Sequence, residues 1–429
     1  MANKLLNDCF AHDKTRLRHD AALAILKERV ATVAGLERTL LIEAAGRTLG
    51  AAVVAPRPVP AHTNAAVDGF SFAAEDYDAA AGSELAVHGR AAAGHPFATE
   101  PVSGTATRIF TGAIMPEGHD TVVMQEDVQF GTIGGQDRVA IPAGLKRGAN
   151  VRKAGEDVRA GEAVLPQGAV LRPQDLSALA SLGLGEVDCF KRLKVAIVST
   201  GDEVRRTGKT AAPLAAGEVY DANAPMLGPL IASAGARPSD LGVLADNLAE
   251  VKERLLQAAR EFDVIITSGG ASRGEEDHVV AALDEIGKRH LWQLAIKPGR
   301  PMSFGQIGDT VVVGLPGNPV AVFVCFLLYV WPLLRRMGGA PWPEPRRYRL
   351  PAQFSFPERK VGRREFWRGI LKETPRGLAV DKFARDGSGL ISGLRAADGL
   401  IDIPEEVAEV KAGDLVAFIP FAEFGIVGR

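Results

Sequence analysis

The run from Asp263 to Pro319 constrains this chain more than any other. It holds three apolar stretches of strand length, and each empties into a loop rich in glycine and proline. The first is Asp263-Val-Ile-Ile-Thr-Ser268, which breaks into Gly269-Gly270-Ala271-Ser272-Arg273-Gly274 ahead of an acidic helix start at Glu275, Glu276 and Asp277. The second is Leu294-Ala-Ile-Lys297, followed by Pro-Gly-Arg300-Pro. The third is Thr310-Val-Val-Val-Gly314, followed by Leu315-Pro316-Gly317-Asn318-Pro319. β-Branched runs of this length read as buried strands. A strand that turns through glycines into a helix makes a nest of backbone N–H groups suited to an anion. In an open α/β sheet the ligand sits beyond the carboxyl ends of the strands. The three loops are therefore expected to face one pocket, with Thr267, Ser268, Gly269, Gly270, Ser272, Lys297, Pro316, Gly317 and Asn318 as candidate ligand contacts. Any one of these loops alone is equally an ordinary turn; three close together are harder to dismiss.

The surrounding order of elements widens this stretch into a domain. Lys194 to Thr200 reads as a buried strand, Leu241 to Leu244 as another, and Leu248 to Phe262 as an amphipathic helix. Alternating strands and helices indicate a mostly parallel sheet covered on both faces, a three-layer α/β domain over 191–338. Gly201-Asp202-Glu203 follows the Lys194–Thr200 strand directly, and Asp246 stands near the end of the next. Carboxylates there can hold a divalent cation, because Mg²⁺ takes one or two of them together with substrate phosphates. They can equally be solvated turn residues.

Elsewhere the chain changes character. Residues 14–50 look helical, with Leu40 to Thr48 as a second short helix, and 1–50 with 151–190 is expected to form a linking domain. Residues 51–150 read as a β-rich inserted domain of short strands, and 339–429 as a small β-barrel or sandwich. The expected class is thus multidomain α/β plus β. Asp68-Gly69 and Thr111-Gly112 stand out in the inserted domain, and Glu156-Asp157 just after it. By composition alone Asp68-Gly69 is a turn, and Glu156 and Asp157 are a solvated turn or cation ligands.

Composition narrows the partners. A net charge of −2 over 429 residues gives no nucleic-acid signature, although Arg346, Arg347, Arg349, Arg359, Lys360, Arg363 and Arg364 cluster. Cys9, Cys189 and Cys325 have neither metal nor disulfide spacing, and the eight histidines are scattered. The opening residues show no secretory signal, so a reducing, cytoplasmic setting is expected. Val320 to Trp331 is almost wholly apolar but only about 12 residues long, short of the roughly 20 that span a bilayer. It reads as a core helix, and no membrane role is expected.

Ordered blocks along nearly the whole chain carry a resemblance. They are Asn64-Ala-Ala-Val-Asp68-Gly69-Phe70, Arg108-Ile-Phe-Thr111-Gly112-Ala113, Val122-Val-Met-Gln-Glu-Asp127, Asn150-Val-Arg152 with Gly155-Glu-Asp157, Ser199-Thr-Gly-Asp-Glu203, Tyr220-Asp-Ala-Asn223, Thr267-Ser-Gly-Gly270, Lys297-Pro-Gly and Gly314-Leu-Pro-Gly-Asn-Pro319. Together they resemble the molybdopterin molybdenumtransferase family. The resemblance implies an enzyme that takes adenylylated molybdopterin and molybdate, inserts the metal at the dithiolene and releases AMP with the help of Mg²⁺. It implies an elongated four-domain homodimer, with the pocket between the α/β domain of one subunit and the β-rich domain of the other. It implies a molybdopterin adenylyltransferase and recipient molybdoenzymes as possible partners. By this similarity Asp68, Glu203, Asp246, Asp277 and Lys297 are the catalytic candidates, and Glu203, Asp246 and Asp277 would bind Mg²⁺ or position substrate. Asp68, Thr111 and Asp157 would come from the second subunit. Arg368 and Ser388 match positions that help to hold the molybdate oxyanion. One departure is Gln293, where many relatives carry a lysine. It leaves open a second reading, a non-catalytic molybdopterin carrier or scaffold. A nucleotide-binding hydrolase that used only 194–337 would leave the 61–150 blocks unexplained.

Overall fold

A computed structural model describes residues 16–208, 213–244, 246–269 and 278–427. The central sheet orders its strands Arg237–Leu244, Lys194–Thr200, Val264–Ser268, Thr310–Leu315, Pro301–Ile307 and Lys288–Gln293. The first four are parallel; Pro301–Ile307 runs against them, and Lys288–Gln293 pairs antiparallel to Pro301–Ile307. Val195, Ile197, Val264 and Ile266 pack on one face, against the helix Asn223–Ser233 and the helical run 319–337. Ala196, Val198 and Ile265 pack on the other, against the helices Leu248–Ala258 and His278–Ile286. Successive residues of one strand thus feed two cores, which is why these strands read as unbroken apolar runs.

One strand exit departs from the expectation. Lys297 does not leave a strand of the central sheet. The chain quits that sheet at Gln293, and the short strand Ile296–Lys297 pairs in parallel with Arg364–Thr374 of the C-terminal sheet. The hairpin geometry accounts for this. Lys288–Gln293 runs antiparallel to Pro301–Ile307, so the residues between them fold back over the sheet edge, where Ala295 O accepts Arg364 N–H at 2.8 Å.

The apolar run after Asn318 is also longer than its composition suggests. Helix Pro319–Cys325, a π turn at Phe326–Val330 and helix Trp331–Met337 are continuous. Pro332 has no N–H, and Trp331 N–H reaches back to Phe326 O, which widens the turn. At 19 residues the run is long and apolar enough to cross a membrane, so shortness is not the argument against that role. The better argument is that 89% of its apolar window lies inside the protein's own core.

Among the described residues of the N-terminal region, the α-helix is His19–Arg29. Leu36–Leu40 is instead a strand paired antiparallel with Glu186–Phe190, and only a single 3₁₀ turn, Leu41–Glu43, follows it. A partner strand over 140 residues away overrides local preference there. The β-rich region forms a six-stranded sheet in the order Thr121–Met124, Gly69–Phe72, Thr105–Ile109, Ser83–Ala91, Gln136–Ile141 and Gln129–Ile133. Gly69 is not a turn glycine. It opens a strand, and a Cβ there would lie 1.8 Å from Val123 O.

In the C-terminal region Tyr348–Pro351, Leu415–Pro420, Gly399–Ile403, Arg364–Thr374 and Gly377–Lys382 are successive neighbours. A parallel bridge from Ala352 to Val380 brings the last back to the first. The cationic cluster divides. Arg347 and Arg364 both donate to Asp402, and Arg363 donates to Glu365. Arg359 is buried, while Arg346, Arg349 and Lys360 stay exposed.

Candidate active site

A cleft of about 620 Å³ opens where the Lys297–Pro301 loop and the Pro316–Asn318 loop meet the C-terminal sheet. Phe366, Trp367 and Arg368 form its far wall, and Lys382, Phe383, Asp386, Gly387 and Ser388 its rim. Its volume and its mixture of aromatic wall and few charges suit a small-molecule site.

Lys297 and Glu365 are register partners on adjacent strands. Glu365 is 1% exposed, accepts from Arg363 Nε at 3.0 Å and Trp367 Nε1 at 2.9 Å, and lies 3.8 Å from Lys297 Nζ. The last separation is beyond hydrogen-bond length. Lys297 is therefore steered by a buried carboxylate without being bonded to it, and its ammonium stays free to meet an anion. Arg368 is braced more firmly. Its terminal nitrogens donate to Leu390 O at 3.1 Å and Arg385 O at 2.7 Å, and its guanidinium lies over the Phe383 ring. Burial pulls its pKa below the ordinary arginine value. Ser388 O accepts from Val320 N–H at 3.0 Å, which ties the rim loop to the start of the buried helix.

Behind the cleft, Asp221 accepts from the N–H groups of Asn223 and Ala224 at 2.9 and 3.0 Å and so fixes the start of their helix. Asn223 Nδ2 then donates to Ser268 Oγ and to Gly317 O, both at 2.7 Å. One amide thus joins the first strand exit to the third. Thr267 is fully buried and Gly269 N–H donates to Leu315 O at 3.1 Å. Thr267, Ser268 and Gly269 shape the floor behind the cleft and do not line it. Gly270, Ser272 and Asp277 lie outside the described residues.

The acids stand apart. Asp202 and Asp246 grip each other across two strand ends. Asp202 N–H donates to Asp246 Oδ2 at 3.3 Å, and Asp246 N–H to Asp202 Oδ1 at 3.1 Å. The Glu203 carboxylate folds back over Gly201. No three Asp, Glu, His or Cys side chains converge as a metal cluster among the described residues. Asp68 Oδ1 accepts both the N–H and the Oγ–H of Thr111 at 2.7 Å, and these two donors hold its carboxyl below the usual carboxylate range. Asp157 is exposed on a turn beside Val59. Neither Asp68, Thr111 nor Asp157 lines the cleft of its own chain, and neither does Gln293.

Known proteins resemble this chain throughout its length. Residues 17–183 match the MoeA N-terminal region (domain I and II), 196–336 a probable molybdopterin binding domain, and 349–421 the MoeA C-terminal region (domain IV). A molybdopterin molybdenumtransferase of Haemophilus influenzae is 37% identical over 404 residues, covering 94% of this chain and 98% of that one. The chain belongs to the molybdopterin molybdenumtransferase family. Molybdopterin molybdenumtransferase 2 of Mycobacterium tuberculosis is also 37% identical, over 87% of this chain and 92% of that one. The crystal structure of the molybdopterin biosynthesis moeA protein from Pyrococcus horikoshii OT3 superposes with a TM-score of 0.79 at 29% identity, covering 95% of this chain and all of that one.

Of the residues that resemblance to this family singled out, the fold gathers Lys297, Pro316, Gly317, Asn318, Arg368 and Ser388 in one cleft. It joins Asp68 and Thr111 to each other in a second region, puts Asp157 on a turn beside Val59, and leaves Glu203 and Asp246 elsewhere. Sequence reading missed Glu365, Trp367, Lys382 and Asp386. It also missed a stack in which the Arg108 guanidinium lies 4.8 Å from the Phe70 ring and 4.9 Å from that of Phe110, next to Thr111. The Arg-Ile-Phe-Thr spelling of residues 108–111 was the available signal, since alternate residues of a strand share a face.

Proposed function

We propose that the protein inserts molybdenum into molybdopterin, taking adenylylated molybdopterin and molybdate and releasing AMP in a Mg²⁺-dependent step. The supporting observation is the cleft. It sets Lys297 over an aromatic wall, steered by a buried carboxylate but unbonded, within a family whose curated members carry this transferase name. An ammonium held this way offers its donors to an oxyanion at small reorganisation cost. Phe366 and Trp367 give the site a flat apolar wall beside that charge.

Asp202 and Asp246, with Glu203 beside them, fit an ion that takes one or two carboxylates and otherwise keeps its waters. They would hold Mg²⁺, with Asp277 as a further candidate. Bound there, the ion would neutralise charge that develops as the pyrophosphate link breaks. Asp68, Thr111 and Asp157 fit a pocket completed by a second copy, because they are charged or polar, half-buried (Asp68) or exposed (Thr111, Asp157), and away from their own cleft. The homodimer, the four-domain division (1–50 with 151–190; 51–150; 191–338; 339–429), a cytoplasmic setting and an adenylyltransferase and recipient molybdoenzymes as partners belong to the same reading.

The carrier alternative rested on Gln293, and Gln293 does not face the cleft. Incubating the purified chain with adenylylated molybdopterin, molybdate and Mg²⁺ separates the two. AMP release with metal-loaded product supports the transferase; tight binding with no AMP means a carrier.

A further inference from the structure

The cleft rim holds a second lysine that the sequence did not single out. Lys382 lines the cleft with its side chain 10% exposed, and its Nζ donates to Asp386 Oδ1 at 2.7 Å. The ammonium also lies 5.5 Å from the centres of both the Phe356 and Trp367 rings. Two aromatic faces hold a cation in place whether or not a carboxylate is present. Asp386 is different. Its side chain is 53% exposed, and among the described residues its carboxylate has no hydrogen bond besides that of Lys382. Gly387 follows it at φ +133°, a conformation open to glycine alone, so the backbone beside the carboxylate is not shaped by a side chain. The loop around Asp386 is nevertheless pinned on both sides, by Arg368 at Arg385 O and Leu390 O and by Val320 at Ser388 O. A fixed loop therefore carries one weakly held acid, and that acid covers a strongly held cation.

We propose that Lys382 is a further anion-binding cation of the cleft, and that Asp386 is the counter-ion an incoming oxyanion displaces from it. This rests on reading the cleft as the oxyanion site. Half-exposed ion pairs are worth little, so a dianion that reaches the same ammonium can replace the carboxylate. Asp386 then acts as a filter. Weakly charged or monoanionic competitors fail to dislodge it, while a doubly charged tetrahedral oxide succeeds.

Calorimetric titration of sodium molybdate into the full chain tests this in wild type, Asp386→Asn, Lys382→Met, the double variant and Lys297→Ala. Asp386→Asn should tighten the dissociation constant about threefold, the scale set by an exposed pair. Lys382→Met should weaken it about tenfold, one charge-assisted contact. In the double variant the Asp386→Asn gain should vanish, because the two residues act on one another. Asp386→Asn changes an exposed side chain and keeps the test informative if Lys382→Met unfolds. Unchanged or weaker binding by Asp386→Asn overturns the proposal, as does a gain that survives without Lys382. If Lys297→Ala weakens binding while neither rim variant alters it, the cleft reading stands and this inference alone falls. If wild type binds no molybdate, both fall.

Discussion

Lys297 ends a short strand and Asp68 stands just before one, and the two charges are positioned by different means. Behind Lys297 stands Glu365, 1% exposed and fixed by an arginine and an indole N–H from the C-terminal sheet. Behind Asp68 stands one threonine, in solvent. The cleft thus takes its geometry from two sheets and a buried helix within one chain. The acids at 68, 202 and 246 take theirs from a few short local bonds. The first arrangement is prebuilt and costly to disturb. The second rests on fewer bonds.

The comparison is broken most directly by removing one charge from each side. Lys297→Ala should cut molybdenum insertion by about a hundredfold, the usual loss when one electrostatic donor goes. Its half-exposed side chain carries no core, so the melting temperature should hold. Asp68→Ala should lose activity to a similar degree and also keep the fold. Insertion rates of purified variants check both, and an Asp68→Ala enzyme at wild-type rate would remove that acid from the reaction.

A somewhat smaller effect should appear only on the buried side. His19 is fully buried behind the cleft wall, with Nδ1 2.8 Å from Tyr329 Oη and its ring 5.2 Å from that of Phe366. Burial, aided by the Arg364 charge, lowers its pKa from 6.5 to about 4. An unfolded chain takes up a proton as pH falls below 6.5, while the folded chain does not until about 4. Stability should therefore drop across that window by up to about 3 kcal/mol and level off below it. In His19→Phe that part of the slope should vanish. Denaturant melts at pH 7, 5.5 and 4.5 measure the difference between the two proteins; parallel curves would show that His19 does not titrate as its burial requires.

The same contrast explains what the sequence made legible. Val264–Ser268 and Thr310–Leu315 are buried on both faces and spell it out as unbroken apolar runs. The glycine and proline exits follow from backbone needs that few residues meet. The parallel strands and most of the cleft's loops could therefore be read in advance. Glu365 could not, because its meaning lies in Lys297, 68 positions earlier and on another strand. Asp402 was equally silent. In the sequence the arginines that it gathers showed only as a cluster of cations, with nothing to mark Asp402 as their partner. The strand Leu36–Leu40 was misread as helix because its partner, Glu186–Phe190, lies far along the chain. Local chemistry was visible, whereas long-range pairing of buried charge with buried charge had no local spelling.

The smallest expected effect is the sharpest test of the exposed side. Thr111→Val keeps the shape of the side chain and the backbone N–H that Asp68 accepts, but removes the hydroxyl donor. Both donors stabilise the charged carboxylate, and the backbone one contributes more. Losing the lesser should raise the Asp68 pKa part of the way back towards its ordinary value. At pH 7 the carboxylate remains ionised in either protein, so the rate there should stay within about twofold, the scale of one exposed hydrogen bond. As pH falls, however, the variant should lose activity earlier, and the acid limb of its kcat/KM profile should lie at higher pH than that of wild type. Arg108, held between the Phe70 and Phe110 rings, is unchanged and keeps its attraction for the acid in both proteins. A profile that falls everywhere by one factor would mean that Thr111 itself contacts substrate. A profile that does not move would mean that Asp68 need not be charged, and that the acid takes no part in the reaction.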